Sequence, residues 1–156
     1  MTAKTVLQIK FELIGWVLTI VVLLGILYPV WKEVPDYAFY TPNIIFILAF
    51  LTLSRYIFLL KHTFLGHLQI LKVALMLLLI PFVFYLVHQL NIFQTTLDEN
   101  GPAGIVGDLP FGRITKLANY VKSEMTFFGV GAIITCFLFF GRLMMSVWRY
   151  RNRGTI

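Results

Sequence analysis

Acidic residues are scarce in this sequence, and none is predicted to lie at the depth of the membrane interior. Asp and Glu together number 7 among 156 residues. Transporters and proton relays usually carry a carboxylate, or several polar groups, at mid-membrane. The apolar segments described below offer only scattered hydroxyls, together with Tyr85 and His88. This deficit argues against both classes of protein.

Cysteine and histidine are also too few to build a cofactor site. Cys136 is the only cysteine, which excludes an intrachain disulfide and a thiolate metal cluster. His88 falls near one end of a predicted span, whereas His62 and His67 fall at the other end, on the order of 25 Å away along a helix. A bis-histidine haem and a three-histidine metal site are therefore not expected. We predict no catalytic residues, no cofactor and no metal.

Apolar side chains, in contrast, are abundant. Hydrophobic residues make up 59% of the chain and charged residues 13%, and the mean hydropathy of +0.84 is well above that of a soluble domain of this length. A membrane helix needs about 20 mostly apolar residues. Four stretches meet this requirement, at residues 11–30, 43–60, 68–90 and 125–147. We predict an all-α integral membrane protein, a single four-span domain over residues 1–156 with an outer loop at 91–124.

Basic residues are concentrated on one side of this predicted bundle. If both termini and the turn at 61–67 share a side, that side holds nine basic residues and one acid, Glu12. The opposite side, formed by residues 31–42 and 91–124, holds four basic residues and six acids. Because Lys and Arg are retained in the cytoplasm during insertion, both termini are predicted to be cytoplasmic. We expect a multi-pass protein of the bacterial inner (plasma) membrane, with anionic lipids at its inner face and no nucleic acid as a partner.

Three of the inner basic residues are predicted to cluster around a single acid. Arg55, Lys72 and Arg142 fall near the cytoplasmic ends of their spans, and Glu12 lies at the inner end of the first span. Glu12 is able to pair with any one of them, but not with all three. One interpretation is that these long side chains extend to the lipid headgroups. The other is that the unpaired remainder binds an anionic lipid headgroup or a partner's carboxylate.

An amphipathic helix is predicted in the second outer loop. After Pro110, the apolar residues Ile114, Leu117 and Val121 recur at helical spacing over about three turns. This helix is expected to lie on the outer leaflet or to pack over the bundle as a lid. Alternatively, its apolar stripe is a docking surface for another subunit.

Without catalytic groups, the sequence favours a role in packing and assembly. A short four-span chain with internal termini and no buried acid resembles, in general type, the small accessory subunits of membrane complexes. We expect a non-catalytic accessory, scaffolding or assembly subunit that binds other membrane subunits. The alternative is a small homo-oligomeric channel or transporter with a cationic, anion-favouring cytoplasmic vestibule. A third hypothesis is an enzyme acting on lipid, with His88 or His62 as base.

Overall fold

The fold is that of a computed structural model, which describes residues 3–60, 63, 65, 68–107 and 110–152. Within these ranges every regular element is helical. The helices are α1 (Ala3–Glu33), α2 (Tyr40–Leu59), α3 (Gln69–Asn100), α4 (Ala103–Val106) and α5 (Phe111–Arg151). All of them except the short α4 are long and apolar enough to cross a membrane. The predicted all-helical class with four candidate spans is thereby confirmed.

The helices extend beyond the predicted spans, most of all around the loop predicted at 91–124. α3 continues to Asn100 and ends at Gly101, whose φ of 65° lies in the left-handed region that glycine adopts without strain. Pro110 directly precedes α5 and has the fixed φ that suits a helix start. The connection between α3 and α5 therefore shrinks to residues 101–110, which include the short helix α4. The residues predicted as a separate amphipathic helix form the first turns of α5, because nothing between them and the fourth span interrupts the helix.

α5 is the central helix of the bundle and packs along both α2 and α3. Its buried residues Met125, Phe139 and Leu143 share one core with Phe46 of α2 and Leu86 of α3. α1 lies at the side of this three-helix unit, and most of its large apolar side chains are exposed. Such exposure is expected of a helix that faces lipid.

Two glycines of α5 leave room for phenylalanine rings of α2. A Cβ atom at Gly131 would lie 2.8 Å from Cδ2 of Phe50, and one at Gly129 would lie 3.2 Å from Cε2 of Phe46. The small residues therefore admit aromatic rings between the helices, and larger side chains at these positions would push the rings away.

The bundle has two chemically different ends. The terminal end holds the first residues of α1, the α2–α3 connection and the last turn of α5. The loop end holds the α1–α2 connection (residues 34–39) and the connection at 101–110. Polar side chains collect near both ends, and these two groups are the candidate functional sites.

Candidate functional site

An ion pair joins α1 to α2 near the terminal end. Nη2 of Arg55 donates to Oε2 of Glu12 at 3.2 Å, and Nη1 donates to the Glu12 backbone carbonyl at 3.5 Å. The hydroxyl of Tyr56 donates to the same Oε2 at 3.2 Å. The side chains of Arg55 and Glu12 are only 12% and 17% exposed. Among the three basic residues that the sequence offered as partners for Glu12, the structure selects Arg55.

The surroundings of the guanidinium explain this selection. Cζ of Arg55 lies 5.2 Å from the ring centroid of Trp16 and 5.0 Å from that of Tyr56, within the range of a cation–π interaction. Gly15 lies directly against the same group, and a Cβ atom there would overlap Nη1 of Arg55. A glycine on α1 thus creates the space that lets an arginine of α2 reach across to the acid.

Lys72 makes a second polar link near this end, between α3 and α5. It is 1% exposed, and its Nζ donates to Oγ of Ser146 at 3.0 Å and to Oε1 of Gln69 at 3.3 Å. Arg142, the third predicted member, is half-buried, and its Nε has no hydrogen-bond partner among the described residues. The predicted cluster is therefore divided, because Arg55 is bound to α1 whereas Lys72 bridges α3 and α5.

The apolar stripe at the start of α5 faces the bundle. Leu117 is 8% exposed and Val121 is fully buried, and both belong to the core, with Ile114 packed against it. In this conformation the stripe is covered by the protein's own helices. The reason is the continuity of α5, which carries the buried face of the fourth span into these turns.

A cleft of about 420 Å³ opens between α1 and α5 near the loop end. Across it, Nη1 of Arg113 lies 3.4 Å from Oε2 of Glu33 in a largely exposed ion pair. The Tyr120 hydroxyl donates to the carbonyl of Ile26 at 2.7 Å. The cleft is lined by Pro29, Glu33, Arg113, Lys116, Leu117 and Tyr120. The ion pair of Arg113 with Glu33 and the hydrogen bond of Tyr120 to Ile26 both join α1 to α5.

The sequence did not indicate a second buried acid, Glu124. This residue was assigned to the outer loop, yet it is 7% exposed, and its Oε2 accepts a hydrogen bond from Nδ2 of Asn43 at 3.2 Å. A signal was present: Glu124 follows Leu117 by seven residues and Val121 by three, so it shares their helical face. The burial of that face buries Glu124 too.

The structure describes one of the three histidines of the chain. His88 is exposed on α3, while His62 and His67 lie outside the described residues. Comparison with protein-family models, with curated proteins and with solved structures found no match to this chain. Its function is therefore argued from its own geometry.

Proposed function

We propose that this chain is a non-catalytic accessory, scaffolding or assembly subunit of a larger membrane protein complex, with both termini in the cytoplasm. The observation that supports this most is the use of the polar side chains at the terminal end. Glu12, Arg55 and Tyr56 bind one another, and Lys72 binds Ser146. In other membrane proteins such polar groups carry ions or perform chemistry. In this chain they connect helices.

The hydroxyls inside the spans support the same proposal. The Thr19 hydroxyl donates to the Gly15 carbonyl at 2.8 Å, and the Thr135 hydroxyl donates to the Ala132 carbonyl at 2.9 Å. Each threonine thus satisfies its hydroxyl on its own helix, a common arrangement in membrane helices. Both residues are buried, so neither offers its hydroxyl to a permeating ion.

The outward surface is what remains for function. Large apolar side chains stand exposed along α1 and α3, among them Leu13, Leu24 and Trp31 on α1 and Leu77 and Phe84 on α3. Lipid covers such surface in a bilayer, and transmembrane helices of a neighbouring subunit pack on it equally well. The partner that suits this surface is therefore another membrane-embedded protein.

A homo-oligomeric channel or transporter, with a cationic vestibule that favours anions, is the second candidate. The buried Nε of Arg142 favours it, because this group has no protein acceptor among the described residues. The engagement of Arg55 by Glu12 weighs against it, since an ion-paired guanidinium has less charge to offer a passing anion. The accessory role consequently ranks first.

Native mass spectrometry separates the two candidates. The chain is expressed at its natural level with a small tag, extracted from its own membrane in mild detergent, and its complexes are weighed. The accessory role predicts a stoichiometric complex with at least one different polypeptide. A homo-oligomer would favour the channel instead, and recovery only as a lone monomer would contradict both.

A further inference from the structure

Three buried oxygen atoms at the loop end have no hydrogen-bond partner among the described residues. They are Oη of Tyr37, Oδ1 of Asn43 and Oε1 of Glu124. The three side chains are 4%, 0% and 7% exposed. Buried polar atoms in native proteins are nearly always paired with protein, water or an ion. The contact between Asn43 and Glu124 brings two of these side chains together, and with the buried Tyr37 hydroxyl they point to a bound species.

The three side chains converge from different elements. Tyr37 belongs to the α1–α2 connection, Asn43 to the first turn of α2 and Glu124 to α5. Asn43 touches Glu124 directly through its Nδ2. Burial, followed by the negative charge of Glu124, raises the pKa of the Tyr37 hydroxyl above its ordinary value. Tyr37 is held beside the start of α2, because its backbone carbonyl accepts a hydrogen bond from the Tyr40 N–H at 3.4 Å and the carbonyl of Phe39 accepts one from the Asn43 N–H at 3.0 Å.

In its ionised form, Glu124 needs a compensating positive charge. Glu124 forms no ion pair with any residue in the described part of the chain, where the salt bridges are those of Glu12 and Glu33. Lys116 and Lys122 on the same helix are exposed. A buried carboxylate without a counter-ion is strongly unfavourable, and one hydrogen bond from a neutral amide offsets only part of this. A bound water would pair the oxygens but would leave the charge uncompensated.

We propose that Glu124, Asn43 and Tyr37 form a binding site for a small monovalent cation, with sodium as the best candidate. A carboxylate, an amide and a phenol supply only oxygen donors, which hard cations prefer. Calcium takes six to eight oxygens and commonly several carboxylates, whereas the single charge of Glu124 balances one positive charge. The bound ion would tie α2 and the α1–α2 connection to α5. This site is independent of the proposed function.

The test compares thermal unfolding of the purified protein in sodium chloride and in choline chloride at equal ionic strength and constant pH. Sodium is expected to raise the unfolding midpoint in a saturable manner, by roughly 3 °C or more at saturation. Choline is too large to enter and should leave the midpoint unchanged. Equal midpoints in both salts would overturn the proposal, and such equality is the outcome expected if a water or a proton occupies the site.

Two variants and a control complete the test. Glu124→Gln keeps the shape but removes the charge, and should abolish the sodium response without lowering the midpoint in choline. Tyr37→Phe keeps the ring packing and removes one donor, so half-saturation should move to a sodium concentration several times higher. Glu99→Gln, an exposed acid near the same end, should behave like the parent. A full sodium response in Glu124→Gln would also overturn the proposal.

Discussion

The guanidinium of Arg55 occupies the space that a side chain at Gly15 would fill. Arg55 belongs to α2 and Gly15 to α1, so the missing Cβ atom lets an arginine cross between helices to the carboxylate of Glu12, where Nη2 and Oε2 are 3.2 Å apart. A cation at this depth is costly unless it is paired. The ion pair therefore depends on the space at Gly15, although the glycine contributes no polar atom to it.

The first prediction concerns this glycine. Gly15→Ala should lower the unfolding midpoint in detergent, because the new methyl group displaces the guanidinium, and overpacking of this kind costs about 1 to 3 kcal/mol. Gly25→Ala on the same helix is the matched control, since a Cβ atom there meets nothing within 4 Å. We expect the control to be unchanged or slightly more stable. Equal midpoints for the two variants would show that the space at Gly15 is not needed.

The second prediction concerns the ion pair itself. In a double-mutant cycle of Glu12→Gln and Arg55→Met, we expect a coupling free energy of about 1 to 3 kcal/mol, because the two side chains are largely buried and in contact. The exposed pair of Arg113 and Glu33 provides the comparison, and a cycle of Arg113→Met with Glu33→Gln should give less than about 1 kcal/mol. If the coupling free energy of Glu12 with Arg55 is as small as that of Glu33 with Arg113, the Glu12–Arg55 ion pair does not stabilise the bundle.

The third prediction concerns anionic lipids. Arg55 and Lys72 are bound within the bundle, whereas the last turns of α5 carry three further arginines at the terminal end, Arg142, Arg149 and Arg151. Each basic residue near an anionic leaflet contributes about 1 kcal/mol. Replacing all three with Gln should lower the retention of phosphatidylglycerol through purification, measured by lipid mass spectrometry, by an order of magnitude or more.

The control for the lipid experiment lies at the opposite end of α5. Replacing Arg113, Lys116 and Lys122 with Gln removes the same charge from the same helix. We expect this variant to keep nearly all of its phosphatidylglycerol. Comparable losses from both variants would mean that overall charge, and not the position of the arginines, determines lipid binding.

The four spans were predictable because each is a long apolar run, and such runs have few alternatives to a membrane helix. The partner of Glu12 was not predictable, since it depends on which helix faces lie against each other and on the space beside Gly15. The extent of α5 was missed because the amphipathic turns and the apolar span were treated separately, although no proline interrupts them. The burial of Glu124 was missed for the same reason, as its helical face was not followed past Val121.

The most direct test of the central claim determines which end of the bundle lies in the cytoplasm. The basic terminal end is expected inside, and the end that holds the buried Glu124 is expected outside. In a Cys136→Ala background, single cysteines are placed by Ala38→Cys in the α1–α2 connection and by Asn152→Cys after α5. We predict that a membrane-impermeant maleimide labels the cysteine at 38 in intact cells and the cysteine at 152 only after permeabilisation. Labelling at 152 in intact cells, with protection at 38, would contradict the orientation on which the lipid and partner assignments depend.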